Sequence, residues 1–196
     1  MKICLIRHGE TDWNSIGKFQ GREDIPLNKT GIEQMQKTVN YLKRTKWDEI
    51  ITSPLSRAKM SAELIGKGTG LEKIHEEPDF IERDFGKISG MTREDVKANF
   101  LESDHDGIEP LEKLQDRTIN ALMRCINYFD GKNIIIITHG AAINSILTRL
   151  SGNKIEMGKA IPGNGDITLL EKQGDDTINI VFYNKGEREL SGGSTC

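Results

Sequence analysis

The chain has 196 residues, enough to bury a core within one domain, and 36% of them are hydrophobic, low but still globular. Its 27 Lys and Arg stand against 30 Asp and Glu, and the net charge of −3 argues against nucleic acid as a partner. No apolar run approaches the length of a membrane span, which argues against a membrane partner as well.

The first predicted element is a short buried strand over Ile3-Cys4-Leu5-Ile6. Arg7-His8-Gly9-Glu10-Thr11 follows it directly, so an Arg and a His stand together at a strand's carboxyl end. Open α/β sheets bind their ligands at that end. A fixed cation beside an imidazole suits an anionic substrate, and like-charge repulsion should keep the ring neutral and nucleophilic. Thr30 and Glu33 read as a capping box before Ile32, Met35, Val39 and Leu42, which share one helical face. Ile50-Ile51-Thr52 then leads to Ser53, an expected N-cap, with Pro54 at the first position of a helix over Pro54–Lys67. That places Arg57 about one turn into the helix, where free N–H groups and a guanidinium make an anion site. Gly66, Gly68 and Gly70 are expected to end the helix, since their spacing does not fit a dinucleotide loop.

Phe80-Ile81-Glu82-Arg83-Asp84-Phe85-Gly86 predicts an acidic loop turning at its glycine. Cleaving a phosphate ester needs a proton for the leaving alkoxide, and on chemistry alone Glu82 and Asp84 both qualify. A short helix is expected over Thr92–Glu102. A longer one over Pro110–Phe129 carries Leu111, Leu114, Ala121, Leu122, Cys125, Ile126 and Phe129 at core spacing. The four consecutive isoleucines Ile134–Ile137 predict a strand buried on both faces, hence central in a parallel sheet. His139 follows at its carboxyl end, Gly140 permits a close backbone approach, and Ala141–Leu150 reads as the next helix. Ile167–Leu170 and Ile178–Phe182 are late strands, the second at an edge. The tail over 185–196 is polar, rich in Gly and Ser, and expected to be mobile.

Two strand ends thus each present a His followed by a Gly. With Arg7 and Arg57 they make a phosphate pocket a better account than four unrelated structural residues. Arg7-His8-Gly9-Glu10-Thr11, Ser53-Pro54-Leu55-Ser56-Arg57-Ala58, Glu82-Arg83-Asp84-Phe85-Gly86 and Thr138-His139-Gly140 occur in the order and rough spacing of the histidine phosphatase superfamily. The chain resembles the phosphoglycerate mutase-like branch of that superfamily from residue 2 to about residue 170. The resemblance implies His8 as a nucleophile that becomes phosphohistidine, Arg7, Arg57 and His139 as the phosphate clamp, and Glu82 as the proton donor. Asp84 does not fall on the family's acid position. Asn14 matches a phosphate-contacting Asn, and Gln20-Gly21 lies on the loop that faces substrate. With the alternation of strands and helices, the resemblance implies an α/β fold. It is a three-layer α/β/α arrangement with a mostly parallel central sheet and one antiparallel edge strand, in a single domain over 1–184.

The activity so implied is a metal-independent phosphomonoesterase acting on a small phosphorylated metabolite. Two guanidiniums and an imidazole supply the positive field, so neither metal nor cofactor is expected. The main alternative is a cofactor-dependent phosphoglycerate mutase. Two features favour the phosphatase. The stretch from Glu82 to His139 is several dozen residues shorter than in the dimeric mutases, and Gln20-Gly21 stands where mutases favour Thr-Gly. Gly107-Ile108-Glu109-Pro110 departs from the Gly-Gly-Glu-Ser that the branch often shows, which weakens substrate assignments relying on that loop. Two alternatives from other classes are a non-catalytic phosphate-binding module and a metal-dependent hydrolase drawing on His8, Asp12, His75, His105 or His139. The second lacks any recognised ligand spacing. The three cysteines, Cys4, Cys125 and Cys196, read as free thiols in a reducing cytoplasm, and Met1-Lys2 opens without a signal-peptide pattern. A monomer or a homodimer fits equally.

Overall fold

The computed structural model describes residues 1–99, 107–174, 177–186 and 189–190. His105, Cys196, the end of the helix expected to reach Glu102 and most of the tail beyond Lys185 lie outside the described residues. In chain order the elements are β1 (Lys2–Arg7), α1 (Asp12–Ser15), α2 (Lys29–Leu42), β2 (Glu49–Thr52), α3 (Ser56–Thr69) and β3 (Ile74–Glu76). Short 3₁₀ turns at Pro78–Phe80 and Gly86–Ile88 precede α4 (Arg93–Asn99) and α5 (Leu111–Tyr128). Then come β4 (Ile134–Thr138), α6 (Gly140–Leu150), β5 (Ile167–Lys172) and β6 (Ile178–Lys185). Among the described residues, no helix is long and apolar enough to cross a membrane.

The six strands form one sheet in the order β3-β2-β4-β1-β5-β6. β3, β2, β4 and β1 run parallel, and the antiparallel edge is made by β5 and β6. β1 and β4 read as continuous apolar runs because both their faces are covered. Ile3, Leu5, Ile134 and Ile136 pack with Leu122 and Ile126 of α5 and Ile143 and Ile146 of α6. The alternating residues Cys4, Ile6, Ile135 and Ile137 pack with Met35 and Val39 of α2 and Ala58, Ala62 and Ile65 of α3. That alternation, with period two, makes the three layers. At the β6 edge burial alternates along the strand, as expected for one covered face. Burial of Cys4 and Cys125 pushes both thiols well above their ordinary range, so neither is a reactive thiolate.

Several helix boundaries differ from the sequence expectation. α2 is capped by Asn28, whose side chain accepts from the Gly31 N–H at 2.8 Å, so Thr30 and Glu33 fall inside the helix rather than forming its capping box. A true capping box occurs at Thr11 and Asn14 instead. α3 begins at Ser56, with Leu55 as its N-cap and no side-chain capping bond. Ser53 and Pro54 therefore precede the helix, and Arg57 is its second residue. The Ser53 oxygen accepts only a long 3.4 Å bond from the Leu55 N–H, which lies before the helix, and its hydroxyl stands 2.6 Å from His139 Nε2. Of the three glycines expected to end α3, only Gly70 does so, in a left-handed conformation. The three-residue edge strand β3 was not among the expected elements; it is too short to carry a readable period.

Candidate active site

Register brings the two histidines together. Arg7 pairs with Thr138 across the parallel β1–β4 ladder, and the His8 N–H donates to the Thr138 carbonyl at 3.0 Å. The next residue on each strand is therefore a histidine, and the ring centroids lie 5.1 Å apart. β2 ends beside them: the Ser53 N–H donates to the Ile137 carbonyl at 3.0 Å. Three strand ends of the parallel half thus converge, as the topology of such sheets requires of a ligand site.

His8 is 2% exposed, and its two nitrogens have different partners. Nδ1 lies 2.7 Å from the Gly9 carbonyl, which can only accept, so the proton sits on Nδ1. Nε2 then carries the lone pair, and it accepts from Arg57 Nε at 3.2 Å. The ring's pKa is held well below 6.5, first by burial, then by the charges of Arg57 and Arg7. The sequence argument named like charge as the cause; burial is the larger one. His139 is fully buried behind His8, and its pKa is likewise held well below 6.5 by burial and by Arg57. Ser53 Oγ accepts from the Leu55 N–H at 3.4 Å and can give its own proton to His139 Nε2. That leaves Nδ1–H as the donor, and it is buried with no hydrogen-bond partner.

The two arginines are held at their ends. Arg57, 1% exposed, donates from Nη1 to the Glu23 carbonyl at 2.6 Å and from Nη2 to the Gly21 carbonyl at 2.8 Å. Burial pushes its pKa down to about 10, still a full cation at neutral pH. Arg7 donates from Nη1 to the Pro162 carbonyl at 2.6 Å, while its Nε is buried without a partner. Buried donors are rarely left unpaired in native proteins. Arg7 lines a cavity where an anion's oxygen would satisfy its Nε; His139 does not line it.

That cavity is about 250 Å³ and is lined by Arg7, His8, Asn14, Gln20, Gly21, Arg57, Glu82 and Gly140 among others. Every expected site residue lines it except His139, which stands behind His8. Asn14 Oδ1 is taken by the Thr11 N–H and by Asn164 Nδ2, both at 3.2 Å, so the amide's NH₂ end is the one left for a ligand. Gln20 is placed similarly, its Oε1 accepting from Thr11 Oγ1 at 2.9 Å. Gly21 has φ +55° and lies so near Phe85 that a Cβ would sit 3.1 Å from the Phe85 nitrogen. A Cβ on Gly140 would come tightly, 3.1 Å, against Ile161 and into ordinary contact, 3.5 Å, with Arg7 Nε. A larger cavity of about 630 Å³ beside β3, lined in part by His75, Tyr128 and Phe129, contains none of these residues.

Glu82 is 8% exposed and rests on the start of α6. Its Oε2 accepts from the Ala141 N–H at 3.2 Å, and its Oε1 from the Ala142 N–H at 3.2 Å and the Arg83 N–H at 2.8 Å. Asp84 is outside the cavity: it accepts from the Gly86 N–H at 2.8 Å and pairs with Arg22 at 3.7 Å. His75 lies apart on β3, 2.9 Å from Glu49, and Asp12 is exposed at the start of α1.

Two residues that sequence reasoning missed hold the acid loop. Arg117 of α5 makes five bonds. It donates to Glu109 through Nε (2.7 Å) and Nη2 (2.8 Å), and to the carbonyls of Asp79 (2.6 Å), Ile81 (2.7 Å) and Glu82 (3.0 Å). Glu109 also accepts from the Asp84 N–H at 3.2 Å, and its carbonyl accepts from Arg83 Nε at 2.8 Å. A signal was present: Arg117 lies three residues after Leu114 and four before Ala121, on the core face of its helix, where a cation requires a buried partner.

The arrangement defines a phosphoryl-transfer class of site, and comparison with known proteins agrees. The chain belongs to the histidine phosphatase superfamily (branch 1), whose pattern it matches over residues 3–185. It is 44% identical over 155 residues to the uncharacterized phosphatase PhoE of Bacillus subtilis, covering 79% of this chain and 80% of that one. It is 33% identical to phosphoglycerate mutase-like protein 4 of Arabidopsis thaliana, over 79% and 74% of the two chains. Among solved structures, phosphoserine phosphatase from Entamoeba histolytica in complex with 3-phosphoglyceric acid superposes with a TM-score of 0.81 at 29% identity, covering 94% of this chain and 96% of that one.

Proposed function

We propose that this chain is a metal-independent phosphomonoesterase that works through phosphohistidine at His8 on a small phosphorylated metabolite. The observation that carries it is the state of His8. A neutral ring with its lone pair on Nε2 opens into a cavity that also holds two guanidiniums and a carboxyl group. Nε2 attacks phosphorus in line, and the ester P–O bond breaks. The leaving oxygen takes the proton of Glu82. Arg7 and Arg57, with His139 as the third member of the clamp, meet the charge spread over the phosphoryl oxygens. Water then attacks the phosphohistidine and gives its proton to Glu82. The P–N bond breaks, phosphate leaves, and the lone pair returns to Nε2.

Hydrolysis is favoured over transfer to a second hydroxyl because the described chain between Glu82 and His139 lays little over the cavity. Among the described residues between Glu82 and His139 the helices are α4 and α5, and α5 packs against α6 rather than over the site. Lys18 at the cavity is half-buried and Arg93 is exposed, so the cavity opens to water at these two residues. The test runs phosphate release from p-nitrophenyl phosphate and from 3-phosphoglycerate after EDTA treatment. In the same tube, 2- and 3-phosphoglycerate interconversion is followed with bisphosphoglycerate as primer. Release surviving EDTA and exceeding interconversion is expected. Interconversion tenfold faster than release makes the mutase reading correct, and no turnover of any ester leaves a phosphate-binding module.

A further inference from the structure

An asparagine serves an oxyanion with only one end of its amide. The NH₂ end donates to the anion, whereas the carbonyl end sets lone pairs against its charge. The two orientations have nearly the same shape, so packing does not choose between them. Hydrogen-bond partners do.

For Asn14 those partners leave no choice. The Thr11 N–H can only donate, and it meets Asn14 Oδ1 at 3.2 Å. Asn164 Nδ2 meets the same oxygen at 3.2 Å and the His8 backbone carbonyl at 3.0 Å. That carbonyl can only accept, so it is the NH₂ end of Asn164 that faces it. Both hydrogens of this NH₂ are then spent, one on His8 and one on Asn14. A single side chain thus joins the His8 backbone to an amide that lines the cavity, from 156 residues away in the first case and 150 in the second. Asn164 itself does not line the cavity.

Backbone bonds put Asn164 in that place. Gly163–Asp166 is a turn just before β5, closed by the Asp166 N–H on the Gly163 carbonyl at 3.1 Å and by the Gly163 N–H on Asp166 Oδ2 at 2.7 Å. The turn is laced to the end of β1: the Gly165 N–H donates to the Arg7 carbonyl at 3.1 Å, and the Arg7 N–H to the Asp166 carbonyl at 3.2 Å. The Pro162 carbonyl, one residue earlier, takes Arg7 Nη1 at 2.6 Å. The same short segment therefore holds the Arg7 guanidinium, the His8 carbonyl and the Asn14 amide.

We infer that Asn164 is a positioning residue for phosphoryl transfer, holding the Asn14 amide at a fixed distance from His8 with its NH₂ end toward the phosphoryl group. This rests on the phosphomonoesterase reading of the same site. A donor fixed before the reaction needs no reorganisation as charge develops, which is what makes it effective in the transition state. Asn164 acts through Asn14, so its contribution should vanish when Asn14 cannot donate.

A double-mutant cycle tests this. Asn164→Asp keeps the shape but cannot donate, so the Asn14 amide turns its NH₂ to residue 164 and its oxygen to the cavity. Asn164→Asp and Asn164→Ala should each lower kcat/KM by about tenfold, and alike on alkyl and p-nitrophenyl phosphates, since Asn14 meets the phosphoryl end. In the Asn14→Ala background, adding Asn164→Ala should cost less than about twofold more, within the error of additivity. Should Asn164→Ala fail to fold, Asn164→Asp with and without Asn14→Ala completes the cycle. Wild-type kcat/KM in Asn164→Asp, or losses that multiply in the double variant, overturns the inference while leaving the phosphatase standing. If wild type releases phosphate from no ester, the phosphomonoesterase reading falls instead. Calorimetric binding of inorganic phosphate then decides the role of Asn164: weakening by Asn14→Ala and by Asn164→Asp, without further loss in the double variant, upholds it, and unchanged binding in Asn164→Asp overturns it.

Discussion

Arg7, His8 and His139 stand at or just beyond the ends of β1 and β4, the two central strands, where every isoleucine from 134 to 137 is fully buried. Glu82 stands on irregular chain between two 3₁₀ turns and is held there by bonds from α5 and α6. The position of His8, the proposed nucleophile, is set by a sheet ladder and a packed core. The position of Glu82, the proposed acid, is set by side chains, chiefly the Arg117–Glu109 pair. Packed cores resist small displacement, whereas a polar network fails as soon as one member is lost. The two halves of the site should therefore respond differently to substitution.

The largest effect belongs to the nucleophile. His8→Ala should abolish hydrolysis of every ester, good or poor leaving group alike. Wild type should yield an acid-labile, base-stable phosphoprotein on quenching, and the variant none. Unchanged turnover in His8→Ala would refute the phosphohistidine route.

Next comes the clamp. Arg57→Ala or Arg7→Ala should lower kcat/KM by roughly 10²-fold or more, the scale for losing one strong donor to the transition state. Arg57→Lys should recover only part, because an ammonium cannot reach His8 Nε2, the Gly21 and Glu23 carbonyls and a phosphoryl oxygen together. A fully active lysine variant would show that charge alone suffices.

The acid side should separate by leaving group. Glu82→Gln should slow alkyl phosphates by about 10²–10⁴-fold, the range for general acid catalysis, and p-nitrophenyl phosphate much less. Asp84→Asn should leave that ratio nearly unchanged, since Asp84 faces Arg22 and the Gly86 N–H rather than the cavity. Exchanged phenotypes would transfer the acid to Asp84.

Glu109→Gln tests the comparison most directly. It keeps the side chain's shape but removes the charge that fixes Arg117. Turnover of alkyl esters should fall by about tenfold, short of the roughly 10²-fold that a 1 Å misplacement can cost. The leaving-group dependence should shift in the same direction as in Glu82→Gln. Equal loss on alkyl and p-nitrophenyl esters would mean that the network supports the whole fold and not the acid in particular.

The smallest effect is on stability against pH. His8 and His139 are buried with pKa values held well below 6.5. Below pH 6.5 the unfolded chain takes up their protons while the folded protein does not. Stability is thus lost as pH falls from 6.5 toward the folded values, by at most about 1.4 kcal/mol per pH unit for each ring. His8→Gln should flatten the fall of Tm between pH 6.5 and 5 relative to wild type. An unaltered slope would mean that His8 is charged in the folded state, which contradicts its Nε2 lone pair.

The sequence by itself determined the strand ends. A run such as Ile134–Ile137 needs both faces covered, so it announces a central strand, and whatever follows it stands at the ligand-binding end. Arg7, His8 and His139 were legible for that reason, as neighbours in sequence of a strong local pattern. Arg57 at a helix start and Glu82 beside Asp84 were candidates on their own chemistry; the choice of Glu82 over Asp84 and the parts proposed for Asn14 and Gln20 came from order and spacing that resemble a family. The tertiary structure alone decided what depends on groups far apart in the chain. Ser53 reads as a helix cap until β2 and β4 bring it to His139, 86 residues away. Which nitrogen of His8 keeps its lone pair follows from Arg57, 49 residues on. Arg117 reads as one more charge on an amphipathic helix until folding sets it against the carbonyls of Asp79, Ile81 and Glu82. Short-range pattern encodes where the backbone runs, whereas the partners of a long polar side chain are fixed by packing of distant segments, which no local period records.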